Sequence, residues 1–179
     1  ELNASFEKIM PQSHPYIKNY LQNKDQLRGL GDSLRIVVEN PKGNVFDAEY
    51  LETLRQINDE VFLVSGVDRA WMKSLWMPVV RWTEVTEEGF TGGPVIPESY
   101  DGSVASLSLV GQNVARAGIV GSLVANDYRS SMIFVPMLSV DASGHRIDYK
   151  KLRTHLETIR AKYESEGKVK IYIVGFSKL

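Results

Sequence analysis

An internal repeat constrains the fold of this chain more than any other feature of its sequence. Five positions match at a constant offset of about 101 residues: Gly43 with Gly144, Phe46 with Ile147, Asp47 with Asp148, Leu51 with Leu152 and Thr53 with Thr154. Hydrophobic periodicity around them predicts a strand, a helix and a second strand in each copy. The predicted elements are 33–40, 47–62 and 67–75 in the first copy, and 130–139, 148–164 and 169–174 in the second.

Each matched position has a physical role at the start of a helix. A glycine allows the turn, an apolar residue precedes the cap, an aspartate caps the helix, and a leucine begins its buried face. Because one strand–helix–strand unit cannot bury its sheet face alone, two units favour a shared four-stranded sheet. The sequence therefore predicts an α+β fold of two βαβ-type repeats in a ferredoxin-like (split βαβ) arrangement. Any two strand–helix–strand units would share such turn and capping residues. The alternative that the two segments are not a repeat therefore stays open.

The predicted elements divide the chain into four regions. Residues 1–32 are predicted to form an N-terminal arm and helix, 33–75 the first βαβ repeat, 76–118 an irregular loop and short helix, and 119–179 a hairpin plus the second repeat. The hairpin is predicted from strands at 119–125 and 130–139. The stretch 76–101 is rich in glycine and proline and has no clear period, and such long loops are usually functional or mobile.

Composition excludes several classes of chemistry. The chain has 179 residues, no cysteine, three histidines and a formal net charge of −1. It therefore lacks thiol nucleophiles and zinc–cysteine sites, and its balanced charge argues against a nucleic-acid partner. His14 and His145 are predicted to lie in surface turns and His155 on an apolar helix face, none at metal-ligand spacing. We predict no metal, no cofactor and no enzymatic activity.

One aromatic and sulfur-rich cluster stands out. All three tryptophans fall within about a dozen residues, and methionines lie between them. Large, polarizable side chains beside an irregular loop suit a contact surface for a greasy ligand or a partner protein. The alternative is that they fill the core where the strand 67–75 ends. The candidate substrate-binding residues are Trp71, Met72, Trp76, Met77, Trp82 and Phe90.

Three ordered stretches resemble the extracytoplasmic loop domain of RND-superfamily exporters, in the MMPL-like bacterial branch. Residues 6–11 are similar to the family's arm ending in proline, just after the first membrane helix. Residues 66–71 are similar to its Gly-Val entry to the second strand. Residues 123–133 are similar to its strand, Asn-Asp turn and strand. The order of these short motifs spans essentially the whole chain.

The resemblance implies a periplasmic porter domain of an inner-membrane protein, built from two βαβ-type subdomains. Family members export hydrophobic or amphipathic compounds, such as lipids and drugs, with the proton gradient as the energy source. The implied partners are the membrane helices, a second periplasmic domain and the hydrophobic cargo, and a homo-oligomer is compatible with the resemblance. Glu1 would follow the first membrane helix and Leu179 would precede the second. The rival interpretation is a free-standing ferredoxin-like ligand-binding or regulatory module.

Overall fold

The computed structural model describes residues 13–15 and 33–175. Most of the arm and helix predicted for 1–32 lies outside the described residues, as does the stretch 6–11. The elements in chain order are β1 (Ser33–Glu39), α1 (Ala48–Phe62), a 3-10 helix (Arg69–Trp71), β2 (Arg81–Thr86), β3 (Gly89–Pro94), α2 (Val104–Ala117), β4 (Ser130–Pro136), α3 (Tyr149–Ser165) and β5 (Lys170–Val174). The predicted α+β class is confirmed.

The main sheet has the strand order β4-β1-β5. Strand β1 is antiparallel to both neighbours, and Ile36 lies opposite Ile133 on one side and Ile173 on the other. Strands β4 and β5 consequently run parallel to each other, with β1 between them and α3 as their connection. This connection matches the second predicted strand–helix–strand unit.

Both faces of β1 are covered. Leu34, Ile36 and Val38 belong to the main core, as their alternation predicts, while Val37 packs on the opposite face with Ala125. The main core is closed by the apolar stripes of two helices. These stripes consist of Leu51, Leu54, Ile57 and Val61 on α1, and Leu152, Leu156, Ile159 and Tyr163 on α3. Burying one such aliphatic side chain stabilises the fold by roughly 1.5–3 kcal/mol.

The two helix starts of the repeat have the same local geometry. Asp47 accepts a hydrogen bond from the Tyr50 amide at 2.8 Å, and Asp148 accepts one from the Lys151 amide at 3.1 Å. The matched threonines, Thr53 and Thr154, each donate to the carbonyl four residues earlier at 3.0 Å. The glycines differ, because Gly144 has a left-handed backbone (φ 82°) and Gly43 does not.

The prediction of a continuous strand at 67–75 is wrong. The segment turns through the 3-10 helix at Arg69–Trp71 and forms only isolated antiparallel bridges, Lys73 with Phe134 of β4 and Val67 with Met137 just after β4. The Trp71 amide donates to the Asp68 carbonyl at 3.1 Å, which closes a turn where a strand would continue. Apolar content alone could not reveal this turn.

Two further expectations also differ from the structure. The residues 119–125 form turns around Gly118 and Gly121, both with positive φ, and bridge β4 only at Val124 with Ser131. The stretch 76–101, predicted as irregular, contains the hairpin β2–β3. Both strands of this hairpin are largely exposed, so neither shows the apolar alternation that identifies a half-buried strand.

Candidate functional site

A groove of about 690 Å³ opens between α1 and the segments on either side of the hairpin β2–β3. Helix α1 contributes Ala48, Glu52 and Arg55. The region predicted to be a functional loop contributes most of the remaining lining residues. These are Trp76, Pro78, Pro94, Ile96, Pro97, Glu98, Tyr100, Asp101 and Gly102. The volume falls within the ~300–1,000 Å³ typical of small-molecule sites.

Trp76 is held rigidly in the wall of this groove. Its indole Nε1 donates to the Leu51 carbonyl of α1 at 2.8 Å. Its ring meets the Tyr100 ring edge-to-face, with centroids 5.7 Å apart and an interplanar angle of 78°. Such aromatic pairs add about 0.5–1.5 kcal/mol beyond the area they bury. The indole therefore presents a fixed, half-buried surface to any molecule in the groove.

A buried polar chain fixes the backbone that carries Trp76. The Ser74 hydroxyl donates to Asn58 Oδ1 at 2.7 Å and accepts from the Trp76 amide at 3.2 Å. Asn58 and Ser74 are both fully shielded from solvent. Because unpaired buried polar groups are costly, this arrangement specifies one position for the segment after the 3-10 helix.

The opposite wall of the groove is tied to α2. Asn113 donates from its side-chain amide to the Val95 carbonyl at 3.0 Å, and the Val95 amide donates to the Val80 carbonyl at 3.2 Å. Pro94 and Pro97 flank this point, and proline has few conformations to lose when a ligand binds. The groove is thus largely preformed.

The hairpin β2–β3 extends from Pro94 and packs one face on α2. On that face the Trp82 indole lies over Gly93, and the Arg116 guanidinium carbon sits 4.1 Å from the Trp82 ring centroid. On the other face Val85 and Phe90 are directly opposite each other and are 74% and 86% exposed. Residues four apart on a strand share a face, so Phe90 and Pro94 lie on the same face of the hairpin. This exposed apolar face therefore leads into the groove.

The predicted site residues do not form one cluster. Trp76 lines the groove, whereas Trp71 is 66% exposed on the 3-10 helix and Met72 is completely buried. Met77 is partly buried against the core near the Asn58 amide, and Trp82 stacks under Arg116. The core interpretation therefore holds for Met72 and the contact-surface interpretation fits Trp76.

Several lining residues escaped prediction because they are distant in sequence from the tryptophans. Glu52 and Arg55 lie on the exposed side of an amphipathic helix, where charges are ordinary. Tyr100 could have been suspected, since a lone aromatic residue follows Pro97 in a polar loop. The Tyr100 amide donates to the Pro97 carbonyl at 3.0 Å, and this turn aims the side chain back toward Trp76.

The groove has a negative rim. Arg55 binds Glu52 at 2.9 Å and Asp59 at 3.1 Å, so its charge is matched by two carboxylates on the same helix. The Arg55 hydrogen bonds hold the pKa of Glu52 below its usual range, and hydrogen bonds from Ser103 do the same for the pKa of Asp101. Burial, reinforced by nearby Asp47, Glu52 and Asp101, raises the pKa of Tyr100.

His145 is exposed, as predicted, whereas the other two histidines take different places from those predicted. His14 is buried, with its ring centroid 5.1 Å from that of Tyr172, whereas His155 is exposed on α3. Burial lowers the pKa of His14, although Glu39 and Asp127 oppose the shift. Within residues 13–15 and 33–175, no group of three or more histidine, aspartate or glutamate side chains is arranged to hold a metal ion.

No protein family and no curated protein sequence matches this chain. The likeness to RND-superfamily exporters therefore depends on the three short stretches of the sequence. Among the described helices, none combines the length and apolar character needed to cross a bilayer.

Proposed function

We propose that this chain is the periplasmic porter domain of a proton-driven RND-superfamily, MMPL-like inner-membrane exporter, and that its groove contacts the hydrophobic or amphipathic cargo. The observation that carries the proposal is the groove itself, with Trp76 fixed in an apolar wall and charged side chains at its rim. An apolar wall beside polar groups suits a molecule with a greasy body and a polar end. In this role the chain performs no catalysis.

The topology supports a ferredoxin-like arrangement in which isolated bridges take the place of one of the four strands. Strands β4 and β5 flank β1 and are joined by α3, as in a split βαβ unit. The bridges of Lys73 to β4 and of Val67 to Met137, the residue after β4, occupy the position expected for a fourth strand, after α1. In this proposal the turn at Arg69–Trp71 shortens that strand and releases the following segment toward the groove.

Transport would require partners, because the energy of a proton gradient is used within a membrane. The proposed partners are the membrane helices and second periplasmic domain of the same transporter, with a homo-oligomer also compatible with the proposal. The exposed apolar face of Val85 and Phe90 supports contacts beyond this domain.

The test uses the full-length gene product in everted membrane vesicles. A fluorescent amphipathic amine serves as cargo, and its proton-driven uptake is compared between wild type and Trp76→Phe, with Trp71→Phe as the matched control. The proposal expects a clear loss of uptake for the first variant and wild-type uptake for the second. Equal uptake by all three proteins, or a gene without membrane-spanning segments, would contradict it.

The free-standing ligand-binding module remains the second candidate. It is favoured by one observation, namely that α1, the segment after the 3-10 helix and the loop before α2 of this chain all line the groove. The two candidates predict different sequences in the gene on either side of residues 1 and 179. Apolar runs of about 20 residues on both sides would exclude the module.

A further inference from the structure

We infer that the groove selects amphipathic cations, meaning molecules with an apolar body and an ammonium group. This inference rests on the proposed function, since it names the class of cargo that the same groove would hold. Two features of the groove support this inference: the sign of its charge and the chemistry of its aromatic wall.

The residues that line the groove carry a net negative charge. Three carboxylates line the groove, on Glu52, Glu98 and Asp101, against the single guanidinium of Arg55. Arg55 is already engaged by Glu52 and by Asp59, which lies outside the groove. Glu98 is exposed, and no hydrogen bond or ion pair joins it to another described residue. A cation entering the groove would therefore meet carboxylates whose charge is not fully matched.

The aromatic wall suits a cation better than an anion. The negative face of an aromatic ring attracts ammonium groups within about 6 Å of its centroid, and tryptophan does so most strongly. Trp76 is half-buried, so part of its indole remains open to the groove that it lines. Its Nε1–H, which could bind an anion, is already donated to the Leu51 carbonyl.

Tyr100 extends the aromatic surface, because its ring meets the Trp76 ring edge-to-face with centroids 5.7 Å apart. In the sequence Tyr100 stands between Glu98 and Asp101, and all three residues line the groove. A cation in the groove would therefore have aromatic and acidic groups close together.

The experiment compares three probes that share a decyl chain: decyltrimethylammonium, decyl maltoside and decyl sulfate, each below its micelle-forming concentration. Binding to the 179-residue chain is measured by calorimetry. The indole N–H resonance of Trp76, assigned with Trp76→Phe, reports whether each probe enters the groove. We expect the ammonium probe to bind most tightly and its advantage over the maltoside to shrink as salt is added.

Two double variants test whether binding of the ammonium probe depends on the carboxylates of the groove. The double variant Glu98→Gln/Asp101→Asn should weaken binding of the ammonium probe roughly tenfold and leave maltoside binding unchanged. The matched control, Glu87→Gln/Glu88→Gln, removes the same charge at the turn between β2 and β3 and should leave both affinities unchanged.

The outcomes separate this inference from the proposed function. If the maltoside shifts the Trp76 resonance but the ammonium probe binds no more tightly, the inference is overturned and the cargo groove stands. If the two double variants weaken ammonium binding equally, the inference is also overturned, because the effect is not local. If no probe shifts the Trp76 resonance, the groove is not a cargo site, and the proposed role of the groove is overturned as well.

Discussion

The hydroxyls of Tyr50 and Ser131 lie 2.6 Å apart although the two residues are separated by 81 positions in the chain. Tyr50 also donates to the Val38 carbonyl at 2.7 Å and accepts from the Ser131 amide at 3.1 Å. One phenolic oxygen of α1 thereby joins β1 to β4 inside a region closed to solvent. This contact links two segments that belong to different copies of the predicted repeat.

Replacing Tyr50 by phenylalanine should lower the free energy of unfolding by about 1–3 kcal/mol, because it removes buried hydrogen bonds to Val38 and Ser131. Urea unfolding measures the change. The double variant with Ser131→Ala should lose less than the sum of the two single variants, since the hydroxyls interact. The control is Tyr149→Phe, whose exposed hydrogen bond to Leu138 should contribute little. Equal losses for Tyr149→Phe and Tyr50→Phe would contradict the prediction.

The same tyrosine should make the fold sensitive to alkali. Burial raises the pKa of Tyr50 above its unfolded value near 10, so the unfolded chain releases this proton first. The contribution of this tyrosine to the free energy of unfolding is therefore present in full below about pH 10. It falls as the pH rises further, by up to ~1.4 kcal/mol per pH unit for each such group. In Tyr50→Phe the slope of unfolding free energy against pH should be shallower. It does not vanish, because burial also raises the pKa of Tyr163.

Local signals in the sequence predicted much of the fold. Asp47 and Asp148 begin helices as expected, because a capping interaction involves residues only three positions apart. The hairpin β2–β3 could not be predicted, because its strands are exposed and pack through Trp82 on a helix that follows later in the chain. For the same reason the groove was predicted only through Trp76, whereas the contribution of Glu52 depends on long-range packing.

The repeat itself gives a paired prediction at its two helix caps. Asp47→Ala and Asp148→Ala should each cost about 1 kcal/mol, since each removes the acceptor for a helix N-terminal amide. Ser103→Ala, at the start of α2, is a third cap outside the repeat and serves for comparison. Thermal unfolding followed by circular dichroism measures all three. Unequal losses at the two aspartates would show that the repeated caps are not energetically equivalent.

Gly66 should tolerate no side chain. Its φ is 95°, and an added Cβ would lie 2.9 Å from Ile147 Cγ2 and 3.2 Å from Leu152 Cδ1. Gly66→Ala therefore combines left-handed backbone strain with a clash in the core, at a cost of roughly 2–4 kcal/mol. Gly118→Ala is the matched control, because Gly118 has φ 67° but nothing within 4 Å of its added Cβ. Denaturant unfolding should show the larger loss at Gly66, and equal losses would mean that the space around Gly66 adjusts freely.

Trp76 and Trp71 are five positions apart in the sequence, but of the two only Trp76 lines the groove. Variants of the two residues should therefore differ in stability and in ligand binding. Trp76→Phe removes the hydrogen bond to the Leu51 carbonyl and narrows the aromatic wall, so it should cost about 1 kcal/mol in stability. The same variant should weaken decyl maltoside binding, because less apolar surface is buried against the ligand. Trp71→Phe changes a side chain that is 66% exposed outside the groove, and it should leave both quantities unchanged. Urea unfolding and calorimetric titration of the two variants provide the measurements. If Trp71→Phe weakened binding as much as Trp76→Phe, the loss would not be specific to the groove, and the prediction would be wrong.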